Sequence, residues 1–485
     1  MDLAMLLASV VAYLLFSVLI GLYVARNVHS AADYALAGRH LSLPVVTATV
    51  FATWFGSETV LGISSTFVEK GLSGIVADPF GASMCLILAG LFIAPKIYRL
   101  NLLTLGDYYR VRYNRLVEVF CSICIVVSYL GWVAAQISAL GLIFNVLTEG
   151  GISQEWGMVI GATVVLIYTL FGGMLSVAIL DFIQMVVIAL GLAFIMWIVA
   201  DMAGGVSNVV EHAEAAGKLR FFPEEFSYAL WVPFVGAFLT MAFGSIPQQD
   251  IFQRISSAKN EKTAVRGAVL GGSLYFFFAF IPVFLAYGAI MIDPSTFSAM
   301  VVEDSQMVLP NLVLMHTPVF AQVVFFGALI SAIMSTSSAT LLAPSVSFAE
   351  NIVKNIYPKM DDKTLLLTMR ISVFVFTIIV VAFATQSESS IFEMVESAYE
   401  ITLAAAFVPL LMGLYWKGAT SQGAVWSIIV GISSWLIAKN FFPSEIWPPQ
   451  LLGMVLGFFT MIVGSLLPQW IKHQPALRDG VIHPH

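Results

Sequence analysis

Apolar runs of bilayer-spanning length recur along the whole chain, separated by short polar stretches. They fall at about 3–25, 44–67, 74–95, 117–147, 156–175, 178–202, 227–247, 266–292, 317–349, 366–385, 391–416, 420–438 and 450–471. A helical span needs ~20 apolar residues, so this pattern predicts an all-α polytopic membrane protein of about 13 transmembrane helices. Runs longer than the bilayer core predict tilts, kinks or interfacial extensions. Two longer stretches on one side, near 203–226 and 293–316, interrupt the array, and the first carries a short amphipathic pattern expected to lie on the surface as a helix. No linker or soluble module is visible, so 1–485 is expected to form a single transmembrane domain.

One run breaks the pattern. Residues 44–70 are long enough to cross, yet the middle reads Trp54-Phe55-Gly56-Ser57-Glu58-Thr59, followed by Gly62. An unpaired carboxylate at the centre of a span costs a few kcal/mol or more. One solution is a discontinuous helix whose freed backbone groups coordinate an ion or solute near the midplane. The other is a helix packed through Gly56 and Gly62, with Glu58 paired to a neighbour.

Composition agrees with the pattern. Hydrophobic residues make up 59% of the chain and charged residues 11%, against about 25% charged in soluble domains. The three cysteines, Cys85, Cys121 and Cys124, all fall in apolar runs and read as small buried hydrophobes, without a disulfide framework. The first run lacks the basic start and small-residue cleavage site of a signal peptide and is expected to be the first helix. Of the 22 lysines and arginines, one set of alternating loops holds only Lys70, Lys218, Arg220 and Lys439; the rest, from Arg26 and Arg39 to Lys472 and Arg478, fall on the other side. The positive-inside rule then predicts a multi-pass protein of the cytoplasmic membrane with its N-terminus outside and its C-terminus in the cytoplasm.

Three further stretches carry candidate chemistry. In 317–349, Ser335-Thr336-Ser337-Ser338-Ala339-Thr340 places hydroxyls at i, i+3 and i, i+4 spacing. Such oxygens, with backbone carbonyls of a broken helix, would suit a hard cation such as Na⁺; equally, Ser and Thr back-bond to carbonyls or join neighbouring helices. In Tyr168-Thr-Leu-Phe-Gly172-Gly173 the glycine pair suits a tight connection, and Asp181 beyond it would cap a helix or serve a departing cation. In Pro247–Lys259, Asp250 and Arg254 would anchor the interface or pair at an inner gate. Glu393, Glu396 and Glu400 share one helical face, lining an outer vestibule or solvated at the interface. No G-x-x-x-x-G-K-[ST] motif is present, so an ion gradient is the expected energy source unless transport is passive.

These stretches together resemble the sodium:solute symporter family, which includes the bacterial proline symporter, sodium–glucose cotransporters and high-affinity choline transporters. The resemblance rests on Tyr168–Gln184, Gln253-Arg254 with Ala258-Lys259, Ala332-Ile-Met-Ser335-Thr336 and Ala52-Thr-Trp54-Phe55, and extends over nearly the whole chain. It implies two inverted five-helix repeats with broken helices, the core lying at about 44–202 and 227–416 and peripheral helices at about 3–25, 420–438 and 450–471. It implies a main sodium site of carbonyls from Ala52, Phe55 and Ala332 with hydroxyls from Ser335 and Thr336. Asp181 and Ser338 match part of a second sodium site or exit path, but Ala339 lacks its other hydroxyl, so one sodium is expected. The chain is most similar to the choline-transporter branch: Trp54 and Trp132 match positions of an aromatic cage that holds a quaternary ammonium by cation–π attraction. Gln248 and Ala82 stand where further aromatic residues are expected. Trp54, Glu58, Trp132, Gln136 and Gln248, with Asp78 beside them, are therefore the candidate solute contacts.

The function expected is sodium-coupled symport of a small polar solute, most simply an amino acid or other small amine, with a choline-like quaternary amine as the alternative. Na⁺ is the expected coupling ion, and the small solute and the bilayer are the other expected partners; no nucleic acid and no enzymatic step are expected. A symporter-like sensor acting through a partner and a passive channel are the rivals from other classes.

Overall fold

The computed structural model describes residues 2–442 and 446–471; Lys472 and Arg478, counted above among the basic loops, lie outside the described residues. Within a bilayer every backbone N–H and C=O must be satisfied inside the protein, and helices do this locally. Apart from one bridge between Leu41 and Ala258, the described residues contain no strand pairing. The principal helices are α1 (Asp2–Ala25), α2 (Leu43–Trp54), α3 (Ile63–Lys70), α4 (Leu72–Tyr98), α5 (Arg115–Leu147), α6 (Gln154–Met202) and α7 (Tyr228–Gly244). They continue with α8 (Gln249–Ser257), α9 (Glu261–Ile292), α10 (Val319–Ile356), α11 (Asp362–Ala384), α12 (Ile391–Tyr415), α13 (Ser421–Phe441) and α14 (Pro449–Leu466).

Ten of the described helices are long and apolar enough to cross a membrane, and eleven if α7 and α8, bent by 45°, count as one span. Two features account for the remaining segments. At 49 residues α6 is too long for one crossing: at ~1.5 Å per residue it would run more than twice the ~30 Å hydrocarbon core. Gly173 divides it, with φ 51° and ψ −146°, and the chain doubles back there. Tyr168 and Leu180, on either side of Gly173, both lie against Gly21 of α1. The runs 156–175 and 178–202 are thus the two limbs of α6. The other segment is 44–67, which crosses as α2 and α3 with a break between them.

The breaks recur. Phe55 leaves the helical region at φ −89° and ψ 73°, and Asp78 interrupts α4 at φ −136° and ψ 123°. The first span of the second expected repeat is broken too, at the bend between α7 and α8. Helices approach closely where side chains are small, as membrane packing requires: Gly267 and Gly271 of α9 sit against Val46 and Val50 of α2. α13 and α14 pack chiefly on each other through Gly423, Gly431, Gly453 and Gly464. The stretch 203–226 forms the amphipathic helix Val206–Ala215. The stretch 293–316, read as a loop, instead forms helices Pro294–Asp304 and Val308–His316.

Candidate ion and solute site

The break after α2 creates the centre of the molecule. A Cβ on Gly56 would lie 2.6 Å from both Glu58 Oε2 and Thr336 Oγ1 and 2.7 Å from Gln136 Oε1, so only glycine lets three oxygen-bearing side chains converge there. Carbonyls at a helix end lose their intrahelical donors, and here hydroxyls reach them. Thr336 of α10 donates to the Ala52 carbonyl at 3.3 Å, and Thr59 donates to the Trp54 carbonyl at 3.1 Å.

Ser335 of α10 donates to Asp181 Oδ1 at 2.6 Å, and the Thr49 hydroxyl holds Oδ2. Having spent their protons, the Ser335 and Thr336 oxygens keep lone pairs that can face a cation. Ala332 lies one turn earlier on the same buried helix. Ala52, Phe55, Ala332, Ser335, Thr336 and Asp181 are all shut off from solvent. Asp181 caps no helix: it lies within the second limb of α6 and reaches across to α2 and α10. Ser338 is turned away from it, donating to the Ser335 carbonyl at 3.0 Å, and Thr49 occupies the second oxygen instead.

On the other side of the break, Glu58 is buried and, among the described residues, forms no ion pair. Trp132 Nε1 donates to Oε1 at 2.9 Å and Gln136 Nε2 to Oε2 at 2.6 Å, while Gln136 Oε1 accepts from the Ser57 N–H at 2.9 Å. The four candidates Trp54, Glu58, Trp132 and Gln136 therefore form one group. Gln248 joins it only indirectly: its amide donates to Ser128 at 3.0 Å, one residue from Tyr129 on α5.

Several members were not singled out from the sequence. Tyr399 of α12 stacks on Trp54 with ring centroids 6.0 Å apart and meets Trp132 edge-on at 5.6 Å. Trp54 and Trp132 are themselves 5.3 Å apart, and Tyr129 stacks on Trp132. Trp54 Nε1 donates to Asp250 Oδ2 at 3.2 Å, and Tyr129 donates to Oδ1 at 2.5 Å. Tyr275 donates to Asp78 at 2.5 Å.

Of the two places expected for Asp250 and Arg254, burial excludes the solvated interface. Both are fully buried on α8, and the guanidinium donates to Thr53 Oγ1 at 2.9 Å and to the Asp250 carbonyl at 3.2 Å. A buried cation needs such acceptors; the signal available was an acid and a base four residues apart just after an apolar run. The three glutamates of α12 line a cleft of about 310 Å³, but two are engaged: Glu393 caps its own helix with Ser390, and Glu400 meets Lys439 at 2.7 Å.

Broken helices at corresponding places in two halves are a strong structural pointer to a transport site, and both breaks, at Phe55 and before Gln249, open onto this group. The family model for the sodium:solute symporter family matches residues 34–431. The human high affinity choline transporter 1 is 27% identical over 96% of this chain and 85% of its own length. The high-affinity proline transporter PutP of Bacillus subtilis (strain 168) is 25% identical over 93% of this chain and 96% of its own. Among solved structures, a Na⁺-coupled sialic acid symporter in a substrate-bound, outward-open state matches with a TM-score of 0.83 at 20% identity, over 97% of this chain and 99% of that one. The nucleobase-cation-symport-1 transporter Mhp1 in a closed conformation matches with a TM-score of 0.59 at 14% identity, over 91% of this chain and 97% of that one.

Proposed function

This chain belongs to the sodium:solute symporter family, a family of membrane transporters and not of enzymes, and from that membership we propose that it couples Na⁺ entry to import of a small organic amine, an amino acid being the simplest case. The observation that carries the reading is the seating of Glu58. A carboxylate held by two neutral donors, one of them the Trp132 indole that packs with Trp54 and Tyr399, suits an ammonium group, which would add the missing charge and a cation–π contact. Na⁺ would bind to the carbonyls of Ala52, Phe55 and Ala332 and the hydroxyls of Ser335 and Thr336, with Asp181 as a second contact or the step toward release.

Na⁺ shifts the transporter toward its solute-binding state only by its differential affinity for that state. Filling the position beside Ala52 and Thr336 would fix the end of α2, and with it Trp54 and Glu58. Rocking of one helical bundle against the other would then expose both ligands to the opposite side. The basic loops place the C-terminus in the cytoplasm under this reading.

A second reading is favoured by one specific observation. The aromatic cluster, completed by Tyr399 and Tyr129, offers more ring faces than Trp54 and Trp132 alone, which suits a quaternary ammonium. Such a group has no N–H to give Glu58, so the two readings separate by hydrogen bonding. The test is uptake into proteoliposomes with and without an inward Na⁺ gradient, over amino acids, primary amines, choline, sugars and short carboxylates. Na⁺-driven accumulation of a primary amine or amino acid supports the first reading, and accumulation of choline alone replaces it. Accumulation confined to uncharged or anionic solutes overturns both.

A further inference from the structure

The solute side of the site holds a second carboxylate for which the reading above has no use. Asp78 sits at the break in α4 and is buried. Its Oδ1 accepts from the Tyr275 hydroxyl at 2.5 Å, and that hydroxyl is 2.9 Å from Thr59 Oγ1. Thr59 follows Glu58 directly and reaches back to the Trp54 carbonyl. Two hydroxyls thus tie the break in α4 to the break after α2. The hydrogen-bonded path from Thr59 through Tyr275 to Asp78 brings the second carboxylate into the neighbourhood of Glu58.

The charges around the centre do not balance. Asp250 lies one helical turn from the Arg254 guanidinium, which donates to its carbonyl, and a sodium ion at the Ala52–Ser335–Thr336 position would lie beside Asp181, which Ser335 bonds. Glu58 and Asp78 are left with neutral donors: an indole and an amide for one, a phenol for the other. Isolated buried carboxylates are costly, and a bound cation at each would offset that cost.

We propose that the transported solute is a compact dication, an α,ω-diamine, one ammonium bound by Glu58 among the aromatic rings and the other by Asp78 beside Tyr275. This rests on the reading of Glu58 as the partner of an ammonium group. An amino acid with one ammonium and one carboxylate would instead bring a negative charge toward Asp78, which the neighbouring acids disfavour.

The test pairs each diamine from 1,3-diaminopropane to 1,6-diaminohexane with the n-alkylamine of equal length. Affinity is measured on the full-length protein in NaCl by thermal stabilisation and by competition in uptake. One diamine is expected to bind at least about tenfold more tightly than its monoamine, the scale of one charge-assisted hydrogen bond. Asp78→Asn, which keeps an oxygen for Tyr275, is expected to reduce that ratio to about twofold or less. The wild-type ratio stands on its own if the variant does not fold. Equal affinities for diamines and monoamines would overturn the dication while leaving the ammonium reading intact, and an unchanged ratio in folded Asp78→Asn would remove Asp78 from the site. Failure of every amine and amino acid to bind or accumulate would overturn the ammonium reading and this inference with it.

Discussion

At the scale of single residues, the site depends on oxygen atoms brought unusually close to one another. Replacing Ser335 or Thr336 by Ala removes a hydroxyl oxygen from the sodium position. With hydrogen bonds to charged groups near ~1.5–3 kcal/mol, we expect the Na⁺ concentration for half-maximal uptake to rise about tenfold or more. Unchanged Na⁺ dependence in both variants would dismiss the position. Glu58→Gln preserves shape and one acceptor but loses the charge, so amine affinity is expected to fall by at least about tenfold, read from uptake at saturating Na⁺. Much of this was visible in the sequence, because a glutamate and a serine in the middle of an apolar run conflict with lipid. Tyr399, Tyr129 and Tyr275 were not, since a tyrosine in a membrane helix carries no such conflict: only three-dimensional proximity shows that their rings and hydroxyls meet Trp54, Trp132 and Asp78.

At the scale of helices, interruption and reversal do the positioning. Gly56→Ala would push a methyl group into Glu58, Thr336 and Gln136 at once. Both the Na⁺ and the solute concentrations for half-maximal uptake are therefore expected to rise in this one variant, whereas a change in only one would show that the two halves of the site are not joined at Gly56. Gly173→Ala combines a left-handed φ with a Cβ 2.4 Å from the Tyr34 carbonyl. A cost of roughly 1–3 kcal/mol is expected for such strain, seen as a lower melting temperature without a matching change in Na⁺ affinity. The glycine pair announced its turn in the sequence, and the Trp54–Thr59 stretch announced its break. The bend between α7 and α8 did not stand out, because Ser245-Ile246-Pro247 at the end of an apolar run reads equally well as the exit from a span. Asp250 and Arg254 were left between interface and inner gate for the same reason: they follow the run, and α8 carries them back into the core.

At the scale of the whole molecule, ligand binding is linked to stability and to sidedness. Na⁺ that binds only the folded protein adds RT ln(1 + [Na⁺]/Kd), or ~2.7 kcal/mol at a hundredfold excess over Kd, so NaCl is expected to raise the melting temperature where KCl of equal ionic strength does not. The basic-loop asymmetry predicts that a membrane-impermeant thiol reagent added outside intact cells labels Lys439→Cys and spares Lys96→Cys. The native cysteines are buried and leave a low background. Arg254 carries one more consequence. Its guanidinium joins the Thr53 hydroxyl, beside the break after α2, to the Asp250 carbonyl of its own helix. Losing the arginine leaves both acceptors without that donor, and losing the hydroxyl leaves a buried cation with one acceptor fewer. In related chains, substitutions at 53 and 254 should accordingly arrive together, and an alignment deep enough to follow that inheritance would record the bond as covariation.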